Sequence, residues 1–106
     1  MDSAISPSEH TISGEEGAYA ARVTICNQKG LHARASAQFV KCAATFNCNV
    51  YVSRGGETVG GTSIMGLMML AAAKGCEISI KSDGPQAKEA LDALVQLVEA
   101  RFHEEA

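Results

Sequence analysis

At 106 residues the chain can bury one modest core, and with 46% hydrophobic but only 5% aromatic residues that core must come from Ala, Val, Ile, Leu and Met. Residues 1–18 hold four acids (Asp2, Glu9, Glu15, Glu16) and no Lys or Arg; the remainder sets eight acids against nine bases, too balanced for nucleic-acid binding on electrostatic grounds. No apolar run approaches the roughly 20 residues that span a bilayer, and no basic-then-apolar start marks a secretory signal, so a soluble cytoplasmic protein without membrane insertion is expected.

Residues 1–18, rich in Ser, Gly and Glu with Pro7, read as a flexible acidic leader, because ordering them would recover little burial for the entropy lost. His10 within it reads as a solvated tail residue. The folded domain is expected over residues 19–106. From Ala20 to Asn27, Val23 and Ile25 alternate with Arg22 and Thr24, the pattern of a half-buried strand. Gly30 then turns the chain. Ser36, Phe39, Val40, Ala43 and Phe46 recur at helical spacing, predicting a helix from about Ala33 to Phe46 with His32 at its N-terminal edge.

Asn49 to Arg54 alternates again, and Gly55-Gly56 is a two-residue hairpin signal leading into Glu57 to Gly60. Ser63 is a good N-cap for a helix from Ile64 to about Lys74, closed by Gly75. Cys76, Ile78 and Ile80 then alternate with Glu77, Ser79 and Lys81 as a strand with one wet face. Asp83-Gly84-Pro85 opens a last helix whose apolar stripe is Ala87, Leu91, Leu94, Val95, Val98 and Phe102, with His103 near a C-terminus that favours an imidazolium. The order is βαββαβα. It predicts an α+β open-faced sandwich, one four-stranded sheet covered on one face by three helices, with the strand order left open.

The four cysteines, Cys26, Cys42, Cys48 and Cys76, form no C-x-x-C pair. They read as free thiols packed as small apolar side chains, with a Cys42–Cys48 pairing left open by spacing alone. A metal-carrier domain of similar element order would need C-x-x-C or closely spaced His and Cys ligands, and a KH-type module would need basic residues around a G-x-x-G loop. Here the glycines so spaced, Gly14 and Gly17, enclose two glutamates.

The chemistry concentrates in Gly30-Leu31-His32-Ala33-Arg34-Ala35-Ser36. An imidazole just before a helix faces backbone N–H groups without intrahelical partners and the positive end of the helix dipole. A phosphoryl group carried on a ring nitrogen would sit where helix N-termini bind phosphate, with Arg34 close by as a charge-assisted partner. A second feature is Ile64, Met65 and Met68, beside Leu67 and Met69 on one short helix, more large apolar side chains than one buried face can hide. Leu67 and Leu70 are expected in the core. Some of the rest are expected at the surface, with Ile64, Met65 and Met68 as the docking patch, where flexible methionines suit several partners.

Asn27-Gln28-Lys29-Gly30-Leu31-His32-Ala33-Arg34 resembles the active-site segment of the HPr family, the histidine phosphocarriers of the bacterial phosphoenolpyruvate-dependent phosphotransferase system. A second similar segment, Thr62-Ser63-Ile64-Met65-Gly66-Leu67-Met68, follows about thirty residues downstream, and the resemblance runs from about Tyr19 to the C-terminus. Ala35 departs from the proline many members carry after the arginine; alanine is also a good first-turn residue. The resemblance implies an antiparallel sheet and a monomeric carrier, not an independent catalyst, needing no cofactor or metal. It implies that His32 accepts a phosphoryl group on Nδ1 from phosphorylated enzyme I and passes it to a IIA-type protein, with Arg34 stabilising the phosphate. It also implies that Ser63 matches a regulatory serine modified in some members by HPr kinase/phosphorylase. The alternative is a purely regulatory HPr-like protein acting through Ser63 phosphorylation and partner binding; the intact His32-Ala33-Arg34 argues against it.

Overall fold

Alternating apolar residues give the sheet one dry face, and the computed structural model, which describes residues 17–104, shows how the strands share it. The strands are β1 (Ala18–Thr24), β2 (Asn49–Arg54), β3 (Glu57–Gly60) and β4 (Glu77–Asp83), all antiparallel, in the order β1-β4-β2-β3. The register sets Val23 against Ile78, and Ala21 against Ile80, which in turn faces Val52. All five are buried. On the opposite face Arg22, Ser79 and Ser53 align, and Arg22 reaches Glu77 across the strands at 3.6 Å.

Helices α1 (Ala33–Ala44), α2 (Ile64–Met69) and α3 (Ala87–Glu99) complete the open-faced sandwich expected from the element order. Phe39 and Ala43 of α1, Leu67 of α2, and Leu91, Leu94, Val95 and Val98 of α3 join the strand residues in one core. Each fully buried Leu, Val or Phe contributes about 1.5–3 kcal/mol by leaving water. With so few aromatics, the core depends on the fit of small side chains.

Several boundaries differ from expectation, each for a local reason. The strand β1 begins at Ala18, paired with Asp83, and Gly84 N–H donates to the Gly17 carbonyl at 2.9 Å, so the last two residues assigned to the leader belong to the fold. The rest of the proposed leader, with His10, lies outside the described residues. Helix α1 stops at Ala44, where the Thr45 hydroxyl donates back to the Cys42 carbonyl at 2.7 Å. Helix α2 is five residues shorter than predicted. Leu70 and Ala72 are both drawn into the core, Ala71 between them turns left-handed at φ 54°, and Arg54 Nη1 donates to the Leu70 carbonyl at 2.9 Å.

Helix α3 begins at Ala87 and ends at Glu99, so Phe102 and His103 lie beyond it. Arg101, Phe102 and His103 form a single left-handed turn at φ 60°, 54° and 59°. Such residues cost about 1–2 kcal/mol each, and the buried Phe102 ring offsets much of that. His103 therefore does not serve as a helix C-terminal cation. The four cysteines are free but half-buried, where full burial was expected. Burial raises the Cys42 thiol above its ordinary range; burial, then the Asp83 and Glu89 charges, do the same for Cys48. No helix among the described residues is long and apolar enough to cross a membrane.

Candidate functional site

The site begins at Gly30. Its φ is 64°, and a Cβ there would lie 2.4 Å from the Ala72 carbonyl oxygen and 2.9 Å from Ala73 Cα, so only glycine fits without backbone movement. This close approach lets Leu31 N–H donate to the same Ala72 carbonyl at 2.9 Å, while the Leu31 side chain is buried. The segment after α2 thereby fixes the loop before α1. Lys74 Nζ adds a bond to Gln28 Oε1 at 3.0 Å.

His32 is the N-cap residue of α1, in extended conformation, and its carbonyl accepts from Ser36 N–H at 2.9 Å as the helix starts. Its side chain does not cap the helix. The half-buried ring instead places Nδ1 3.0 Å from the Gly30 carbonyl oxygen. A carbonyl only accepts, so in this arrangement Nδ1 carries a hydrogen. No acidic residue stands in the first turn of α1, and the free N–H groups there remain available to an anion. Arg34 is exposed in that turn, while Ala35 beneath it is fully buried, occupying the position of the family's common proline without disturbing the helix start.

A cleft of about 360 Å³ opens beside the ring, lined by Lys29, His32, Arg34, Gln38, His103 and Glu104. Sequence reasoning brought only His32 and Arg34 together. The left-handed turn supplies His103 and Glu104. The Glu104 carboxylate accepts from Gln28 N–H at 2.7 Å and from Asn27 Nδ2 at 3.2 Å, and the backbone N–H of Lys29 also faces it. Desolvation pushes this carboxyl upward, but the hydrogen bonds from Asn27, Gln28 and Lys29, with the His32 charge, outweigh it and hold the group below the ordinary glutamate range. Asn27 itself is fully buried and also donates to the Gly30 carbonyl at 2.9 Å. Neither Asn27 nor Glu104 stood out in the sequence beyond the family motif, because an Arg-Phe-His segment contains neither Gly nor Asn to signal a left-handed turn.

The second predicted feature stands apart on α2. Ser63 caps the helix, its Oγ accepting from Gly66 N–H at 2.9 Å, and is exposed. Leu67 and Leu70 are buried as expected, while Ile64 and Met68 are 40% exposed and Met65 is 70% exposed. Met69, mentioned in the sequence only as a neighbour, is the most open of the group at 73%. Helix α2 packs against α1, so the apolar patch and the cleft belong to neighbouring elements.

A family model described as "PTS HPr component phosphorylation site" matches residues 19–100. The chain belongs to the HPr family. It is 50% identical to the phosphocarrier protein HPr of Pseudomonas aeruginosa over 86 residues, covering 80% of this chain and 96% of that one. It is also 39% identical to the phosphocarrier protein NPr of Shewanella violacea over 83 residues, 78% of this chain and 91% of the other. In structure it superposes on an HPr from Thermoanaerobacter tengcongensis with a TM-score of 0.78 at 37% identity, covering 82% of this chain and 98% of that chain. Membership of this family makes the chain a phosphotransferase-system phosphocarrier.

Proposed function

We propose that His32 accepts a phosphoryl group from phosphorylated enzyme I and hands it to a IIA-type protein. The observation that carries this reading is a histidine at the N-cap of α1, its ring facing an open cleft, with no acid in the helix's first turn to fill the anion site. Transfer breaks the bond between phosphorus and the donor's nitrogen and forms one between phosphorus and a His32 ring nitrogen. The new dianion is met by the free N–H groups of α1 and by the Arg34 guanidinium. If the acceptor atom is Nδ1, as the family resemblance implies, the ring must release the Gly30 carbonyl and carry its proton on Nε2 before attack. A carrier must also give up its cargo. The openness of the cleft supports that, since solvent and a partner can both reach the ring.

Ile64, Met65, Met68 and Met69 form the docking face in this reading, where unbranched thioether side chains adapt to partners of different shape. Ser63, beside that face, is the regulatory position. A phosphate added at a helix N-cap is tolerated by the helix, yet brings about −1.5 to −2 charges to the rim of the docking surface. HPr kinase/phosphorylase is the modifying enzyme the resemblance implies. The protein acts in the cytoplasm as a monomer.

The acceptor is tested by mixing the purified chain with enzyme I and phosphoenolpyruvate and following intact mass and acid lability. The expected result is one acid-labile phosphate, lost in His32→Ala and kept in His10→Ala and His103→Ala. Loss in either of the latter two instead would move the acceptor elsewhere.

A further inference from the structure

The C-terminal turn does more than close the core. Phe102 anchors it, and three consecutive left-handed residues carry the chain back across α1 so that Glu104 reaches the loop ahead of His32. Backbone strain of this kind persists only where the surroundings fix it. At Glu104 a hydrogen-bonded chain begins. One carboxylate oxygen accepts from Asn27 Nδ2 and the other from Gln28 N–H; Asn27 Nδ2 is shared with the Gly30 carbonyl; and the Gly30 carbonyl accepts from His32 Nδ1. Asn27 is fully buried and its amide orientation is unambiguous, because both atoms facing its nitrogen are acceptors. Its oxygen has no partner, so the amide is held in place by these donor bonds alone.

We infer that Glu104 is a positioning residue for His32: acting through Asn27 and Gly30, it sets which ring nitrogen carries the proton at rest and so how readily the ring releases Nδ1 to a phosphoryl donor. The carboxylate need not touch the ring to do this. A histidine's hydrogen-bond partner fixes its tautomer, and fixing the position of that partner passes the constraint one residue further out. With the Asn27–Gly30 loop clamped, the ring rests with Nδ1 protonated; without Glu104, Asn27 loses one of the two bonds that hold its amide, its grip on the Gly30 carbonyl loosens, and the ring exchanges tautomers more readily. The functional weight of this control rests on His32 being the acceptor, but the tautomer can be read without any phosphotransfer.

The test is nitrogen-15 NMR of the histidine rings in the full-length labelled protein, with His32 assigned by its loss in His32→Ala. Spectra are taken at about pH 8.5, two units above an unperturbed imidazole. Wild type should show His32 mainly as the Nδ1–H form. In Glu104→Ala the ratio of Nδ1–H to Nε2–H should fall about fivefold, the change expected when one hydrogen bond of ordinary net strength is lost. Asn27→Ala should shift the ratio in the same direction. Should either alanine variant lose its cooperative melting transition, Glu104→Gln, which keeps the volume and one acceptor oxygen, should show a smaller shift of the same sign. An unchanged ratio in a folded Glu104 variant would overturn the proposal, as would a wild-type ring found in the Nε2–H form. A wild type that takes no phosphate from enzyme I would overturn the acceptor reading instead, leaving the tautomer result standing.

Discussion

The loop before α1 and the surface of α2 both reach solvent, yet they are built on opposite plans. The loop is polar and tied down from two distant parts of the chain: the segment after α2, through the Ala72 carbonyl behind Gly30 and Lys74 on Gln28, and the C-terminal turn, through Glu104 on Asn27 and Gln28. The α2 surface is apolar, capped by its own Ser63, and leaves four large side chains with much of their area in water. Bond-making chemistry needs one geometry. Docking to several partners needs a surface that can repack, and methionine supplies it. On the proposed function, order falls at the phosphoryl acceptor and adaptability at the docking face.

The sharpest way to break the ordered half is Gly30→Ala. A left-handed alanine whose Cβ meets backbone at 2.4 Å should cost about 2–4 kcal/mol and lower the thermal midpoint by on the order of 10 °C, with phosphotransfer lost in step. A midpoint within about 2 °C of wild type would mean that the Ala72 contact does not hold the loop.

The adaptable half should respond in binding and not in stability. Met65→Glu and Met69→Glu alter only exposed surface, so stability should change by less than about 0.5 kcal/mol, while KM for enzyme I rises about tenfold, as expected when an interface anchor is removed. Calorimetry and steady-state transfer assays separate the two. An unchanged KM would show that partners bind elsewhere. Arg34→Ala should slow transfer about tenfold, the worth of one charge-assisted hydrogen bond to phosphate, with no loss of folding.

Ser63 sharpens the comparison because it has a structural and a proposed regulatory role at once. Ser63→Ala removes the cap bond to Gly66 N–H and should cost about 1 kcal/mol with normal transfer, whereas Ser63→Asp keeps a cap but adds charge and should weaken phosphorylation several-fold. Normal kinetics in Ser63→Asp at low salt would leave this residue as a helix cap and nothing more.

The smallest expected effect is the pH dependence of the Glu104 clamp. Its carboxyl is held below the ordinary glutamate range when folded, so the clamp's stabilisation is complete above the unfolded value and is lost as pH falls through the folded one. Wild type should therefore melt above Glu104→Ala at neutral pH, and the gap should close in acid. A gap that widens in acid would contradict the hydrogen-bonded carboxylate.

The fold was largely legible because alternation in Val23, Ile25, Ile78 and Ile80 and the stripe from Ala87 to Val98 are local patterns. The exposed methionines were legible for the same reason: too many apolar residues on two turns of helix. What escaped was set by distance along the chain. The length of α2 is decided by Leu70 and Ala72 being pulled into a core built by other elements, which no helical period announces. Glu104 reaches Asn27 across 77 residues through a turn made of Arg, Phe and His, types that signal no reversal. His32 and Arg34 stood out through their place at a helix start together with the family motif around them; the Asn27 and Glu104 hydrogen bonds near His32 did not.

The account turns on a phosphoryl group carried by His32, and the most direct measurement is phosphorus-31 and nitrogen-15 NMR of the labelled chain after incubation with enzyme I and phosphoenolpyruvate. The predicted result is a single acid-labile phosphorus–nitrogen species whose coupling places it on the His32 ring, with the ring's contact to the Gly30 carbonyl released. Phosphorus bound to His10, His103 or a serine, with the His32 ring unchanged, would contradict it.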